Sequence, residues 1–203
     1  VAIGAEVLSD LPAEDLATIV PKIRNGDLLF CSADDPFSRL IGWSTRSPWT
    51  HVGIAWRWRD VDRVVALECV QRIGVHTVAI ERFISQTSTG QRPYPGKIVL
   101  ARHAEIEARD DLLPLIHYAI DCMGDPFSPG EIAKIGLRIA FARTGQAMPE
   151  NLKAKDEFIC SEYVDRCYRK VGVEIPWDGK GFMAPADIAN DPRVSAVARF
   201  QTR

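Results

Sequence analysis

One cysteine and one histidine stand where their neighbours change their chemistry. In the run Ile159-Cys160-Ser161-Glu162-Tyr163-Val164, Cys160 falls where apolar spacing predicts a helix to begin, with Gly172 as its stop. The unpaired N–H groups and dipole at a helix start favour an anion, so a thiol there gains thiolate character. That is the setting of a sulfur nucleophile. His51 opens the run His-Val-Gly-Ile-Ala-Trp-Arg-Trp, which alternates as a strand does. Its same-face neighbours Gly53 and Ala55 are small. That face is expected to admit the helix, bringing the Cys160 sulfur against the imidazole as base. A third group should orient that imidazole. Glu68 is the candidate, as the acidic residue in the otherwise apolar strand at 64–70. Whether it shares a face with His51 depends on strand register, because a slip of one residue separates them. Glu162, favoured by the helix dipole, is the substitute. Glu162 and Tyr163 are the candidate substrate-binding residues, Tyr163 having a core position as its alternative.

The elements that must position these groups are legible in outline. Asn25-Gly26-Asp27 is a turn feeding a short strand at 28–31, and further strands are predicted at 51–58, 64–70, 73–79 and 97–103. Helices are predicted at 10–20, 80–86, 104–123 (with Pro114 as a kink or a later start), 128–143 and 160–171. The segment beyond, with three prolines from Pro176 to Pro192, reads as extended chain on the surface. The class is α+β: an antiparallel sheet of four to six strands packed against helices. The expected organisation is one domain over 1–203, with an N-terminal helical extension at 1–21 and a helical insertion at 124–157.

Composition narrows the partners. The 203 residues carry 25 Lys plus Arg and 27 Asp plus Glu, a net charge of −2, whereas a nucleic-acid binder usually shows a strong basic excess. No apolar run approaches the roughly 18 residues of a membrane span. Five cysteines at irregular spacing contain no CxxC pair, so no zinc knuckle or thioredoxin motif is expected. Cys160 and Cys167, about 10 Å apart along a helix, are too distant to bridge. Free thiols and the lack of a visible secretory leader favour the cytoplasm, although a leader could have been removed. Cys31, Cys69, Cys122 and Cys167 are expected to be small core residues, and His76, His103 and His117 structural ones. Gly179-Lys180-Gly181-Phe182-Met183-Ala184 spells GxGxxA, but without a preceding strand it does not predict a dinucleotide site. Lys134, Arg138 and Arg143 place charge on a helix that reads first as a solvated amphipathic one packed on the sheet, with covering a substrate groove or touching a lipid surface as its alternatives.

Five segments fall in a recognisable order: Asn-Gly-Asp-Leu-Leu-Phe at 25–30, Ser-Pro-Trp-Thr-His-Val-Gly-Ile at 47–54, Ala-Leu-Glu-Cys at 66–69, Gly-Val-His-Thr-Val at 74–78 and Ile-Cys-Ser-Glu-Tyr-Val at 159–164. Across roughly residues 22–190 the chain resembles the YiiX-like family, a circularly permuted branch of the NlpC-type papain-like superfamily. Papain-type enzymes order their site Cys, His, polar residue; here the order is His51, Glu68, Cys160, as in the permuted branch. The resemblance implies Cys160 as nucleophile, His51 as base and Glu68 as the orienting group. It also implies a monomeric cysteine hydrolase acting on an amide in a peptide, a cell-wall fragment or a small molecule. The segment at 123–127 resembles the family's Gly-x-x-aromatic turn, with Phe127 where Tyr is common. The alternatives are a lipid-acyl thioesterase or acyltransferase using the same site, and a catalytically silent binding module. None of the three requires a metal or an organic cofactor.

Overall fold

The computed structural model describes residues 3–33, 39, 42, 45–70, 73–85, 94–126, 159–177 and 183–202. The predicted helix at 128–143, with Lys134, Arg138 and Arg143, lies outside them, as do Phe127, most of the 124–157 insertion and Gly179–Phe182 of the GxGxxA run.

The architecture is α+β. Among the described residues seven strands form one sheet: β1 (Ala13–Glu14), β2 (Asp27–Ala33), β3 (His51–Trp58), β4 (Arg63–Val70), β5 (Gly74–Ala79), β6 (Gly96–His103) and β7 (Val194–Phe200). Their order is β1-β7-β6-β2-β3-β4-β5. All pairs are antiparallel except β1 with β7. The sheet therefore exceeds the expected four to six strands. The surplus is β1 and β7, the latter cut from a segment expected to be irregular.

The period-2 pattern divides the apolar residues between two faces. On the first face Phe30, Val52, Ile54, Trp56 and Leu67 pack against helix α6 (Cys160–Arg169) and helix α5 (Leu113–Asp121), through Tyr163, Val164, Tyr168, Leu115 and Ile116. On the second, Leu29, Cys31, Ala55, Val64 and Ala66 pack against Ile19 of helix α2 (Leu16–Ile19) and against Ile80 and Phe83 of helix α3 (Ile80–Phe83). The expected 104–123 helix is two pieces, α4 (Ala104–Glu107) and α5. Pro114 sits in the first turn of α5, where its missing N–H costs nothing, and Asp111 Oδ1 accepts from Leu113 N at 2.8 Å. Helix α1 (Val7–Asp10) precedes β1, and Asp15 caps α2 by accepting from Thr18 N, so the predicted 10–20 helix begins later than Asp10. A short helix α7 (Pro185–Ala189) and β7 replace the expected extended tail.

Helix α6 is pinned along its length. Tyr168 Oη donates to Gly26 O at 2.7 Å, Tyr163 Oη donates to Ala119 O at 3.1 Å, and Ser161 Oγ donates to Met183 O. Gly26 takes a left-handed φ of +84°, and a Cβ there would lie 2.5 Å from Ile106, so the turn that receives Tyr168 requires glycine. These three contacts, each from a buried side chain, fix where the helix start falls.

Candidate active site

His51 is the first residue of β3, at the rim of the sheet. The residues just before it hold it there. Thr50 N donates to Cys31 O at 2.9 Å, Thr50 Oγ1 accepts from Ala33 N at 3.0 Å, and the buried Trp49 Nε1 donates to Ile3 O at 2.7 Å. Sequence reasoning did not single out Trp49 or Thr50; their place immediately before His51 was the available signal.

The register between β3 and β4 decides whether Glu68 can reach the imidazole. The paired residues run from Trp58↔Arg63 to Ile54↔Leu67. Continued by one step, that register sets Glu68 across from Gly53, and a Cβ on Gly53 would lie 3.4 Å from the Cβ of Glu68. Glu68 thus shares a face with Gly53 and His51, as a diagonal cross-strand neighbour of the imidazole. His51 Nε2 donates to Glu68 Oε2 at 2.7 Å, and Glu68 is only 7% exposed. The imidazole ring also lies 6.5 Å, centroid to centroid, from that of Phe83.

Cys160 arrives from the other side. Helix α6 lies on the face of Val52 and Ile54, not on the small-residue face of Gly53 and Ala55 where it was expected. The small residues serve a different purpose: Gly53 leaves room for Glu68. Cys160 and His51 meet because both stand at ends, one opening a helix and the other opening a strand. The Cys160 thiol is hydrogen-bonded to His51 and accepts from the backbone N–H groups of Val52 and Ser161. With Nε2 engaged by Glu68, Nδ1 is the ring nitrogen left for the sulfur. Ile159, at the N-cap, has no side chain able to cap, so the sulfur takes part of that function.

The electrostatics follow from these contacts. Burial opposes the charge on each of the three groups, and in each case the partners outweigh it. Cys160 lies below its ordinary 9.0 because of the His51 charge and hydrogen bond, with the two backbone N–H groups adding to this. Burial would lower His51, but the Cys160 thiolate and Glu68 raise it from 6.5 to about 10. Burial would raise Glu68, but the hydrogen bond and charge of His51, with the imidazole of His76 close by, bring it from 4.5 to about 2. All three shifts run toward a thiolate beside an imidazolium backed by a carboxylate. By contrast, burial pushes the Cys31, Cys69 and Cys167 thiols up. None of the five cysteines is in a disulfide.

Two further candidates stand on the same helix. Tyr163 is fully buried and its hydroxyl donates to Ala119 O of α5, which is a core position. Glu162 stands in the first turn of α6, half-buried, while Glu68 occupies the position beside His51, so no substitute is needed there. His76, expected to be merely structural, lies directly across from Glu68 in β5, with Nε2 3.2 Å from Oε1. The short connection between β4 and β5 was the sequence signal for that pairing. His103 is structural as expected: fully buried, Nε2 donates to Asp191 Oδ2 at 3.3 Å.

Taken together, a mixed sheet with helices on its faces and this order of elements define a circularly permuted papain-like fold of the YiiX type. Among solved structures, the chain is similar to the metalloprotein yiiX from Escherichia coli O157:H7, with a TM-score of 0.59 and 17% identity. The likeness covers 87% of this chain and 97% of that one, and at such identity it establishes the fold. No family model and no curated protein matches the sequence. Among the described residues of this chain, no group of three or more His, Cys, Asp or Glu side chains is placed to hold a metal ion, and no helix is long and apolar enough to cross a membrane.

Proposed function

We propose that the protein is a cysteine hydrolase that cleaves an amide through an acyl-enzyme on Cys160. The observation that carries this reading is the continuous hydrogen-bonded line from Glu68 through His51 to a Cys160 thiol depressed below its ordinary range. The Cys160 sulfur attacks the carbonyl carbon, and the carbonyl electrons move onto oxygen. The backbone N–H of Cys160, at the helix start, donates to that oxyanion. As the C–N bond breaks, the His51 imidazolium gives its proton to the leaving amine. Water then attacks the thioester, His51 takes its proton, and the thiolate departs with the acid released. Glu68 holds the imidazole and stabilises its charge without itself changing protonation.

The yiiX protein is described as a metalloprotein. Among the described residues of this chain no three His, Cys, Asp or Glu side chains stand together to hold a metal ion, and Cys160, His51 and Glu68 carry the steps above. The resemblance to cell-wall peptidases supports a cell-wall-type peptide or other small amide as substrate.

The test is hydrolysis of three substrate sets by wild type and Cys160→Ala: cell-wall-derived peptides, simple aminoacyl amides and lipid-acyl esters. Each reaction is quenched in acid and the protein mass recorded. Amine release, an acyl adduct on Cys160 and loss of both in Cys160→Ala are expected. Turnover of lipid esters alone moves the assignment to a lipid-acyl hydrolase, and equal turnover by Cys160→Ala removes the nucleophile.

A further inference from the structure

Glu68 is flanked by two imidazoles, one per oxygen. His51 on β3 takes Oε2 at 2.7 Å, and His76 on the edge strand β5 stands 3.2 Å from Oε1. The second contact follows from the strand register, which places Glu68 and His76 opposite each other. The Nε2 atom of His76 is shielded from water and has no aligned hydrogen-bond partner among the described residues, although the side chain as a whole is 25% exposed. The acceptor within its reach is Oε1.

We propose that His76 is a positioning residue: it donates from Nε2 to Glu68 Oε1 and so holds the carboxylate with Oε2 aimed at His51. The inference rests on the hydrolase reading and deepens it. A glutamate carboxylate held by one oxygen can swing about its last torsion, which is broad and two-fold. Anchoring the second oxygen removes that swing. The bond from His51 to Oε2 then keeps its direction while the imidazole gains and loses the proton at Nδ1. The other titratable groups facing this pair are Cys31 on β2, opposite His51, and the Cys160 thiol of α6.

The test is the pH dependence of Cys160 alkylation by iodoacetamide, located by peptide mass, in wild type, His76→Phe and His76→Gln, with thermal unfolding as a check on the fold. Glutamine presents its amide N–H at about the reach of Nε2, whereas phenylalanine fills the space without a donor. In His76→Phe the acid limb of the profile is expected to move up by about half a unit, roughly a threefold slower reaction on that limb. His76→Gln is expected to return to the wild-type limb. A residue that only fills space in the sheet would change the melting temperature and leave the limb in place. A His76→Phe limb that stays put or moves down, in protein that remains folded, overturns the proposal. Failure of the underlying reading has a separate signature: wild-type Cys160 then reacts no faster at neutral pH than an ordinary thiol.

Discussion

Glu68→Gln isolates the charge of the orienting group. The amide has the shape of the carboxylate, and its carbonyl oxygen can still accept from His51 Nε2, so the contact at 2.7 Å survives while the charge is lost. A hydrogen bond to a charged group is worth ~1.5–3 kcal/mol and a neutral one ~0.5–1.5. The difference is about 1–1.5 kcal/mol, or one unit of pKa. Screening does little to reduce it, because Glu68 is 7% exposed. The thiolate–imidazolium pair spans the interval between a depressed Cys160 and a His51 raised to about 10. Removing the negative charge lowers His51 and, through it, raises Cys160, so the interval narrows from both ends. In a pH profile of iodoacetamide alkylation, the acid limb should move up by as much as about one unit. On that limb the variant should react roughly tenfold more slowly. Limbs that coincide with those of the wild type would show that Glu68 does not support the imidazolium, and the electrostatic account of the site would be wrong.

Gly53→Val should damage both fold and site. Its Cβ would lie 3.1 Å from Leu67 O and 3.4 Å from Glu68 Cβ, with two methyl groups beyond; a loss of about 1–3 kcal/mol in urea unfolding is expected, with slower Cys160 alkylation. Tyr163→Phe removes the buried bond to Ala119 O and should cost ~1 kcal/mol, a fall of about 2–4 °C in Tm, with the alkylation rate unchanged. The acid side of the stability curve carries the signature of Glu68. Its folded value of about 2 lies below the unfolded 4.5, so the unfolded chain binds more protons, and the stabilisation present above 4.5 is lost as pH falls toward 2. Urea midpoints should therefore drop between pH ~5 and ~3 by less in Glu68→Gln than in wild type.

The candidate residues were legible because each is an anomaly in its own run: a histidine opening an alternating strand, a carboxylate within an apolar one, a thiol at a helix start. Their mutual placement was less so. Glu68 and His51 share a face through a hairpin whose loop ends with Asp62 in the left-handed region, at φ 47°, a conformation that aspartate tolerates but does not announce. The helix was expected on the small-residue face, because small residues invite close packing. The larger apolar face of Val52, Ile54 and Trp56 offered more burial, and the helix took it. Strand β7 escaped notice because its run, Val-Ser-Ala-Val-Ala-Arg-Phe, follows a proline-rich stretch. Its inward residues Ala196 and Ala198 are small, and an irregularity between Leu100 and Ala101 of its partner breaks the alternation. His76 looked ordinary because its role exists only across the strand pair.

The central claim is that Cys160 is ionised at neutral pH because His51 is charged beside it. Ultraviolet absorbance of the thiolate, followed against pH as the difference between wild type and Cys160→Ala, measures this directly. The account predicts a single thiolate step that titrates below the ordinary thiol range of about 8.5. A difference step at that ordinary value would contradict it.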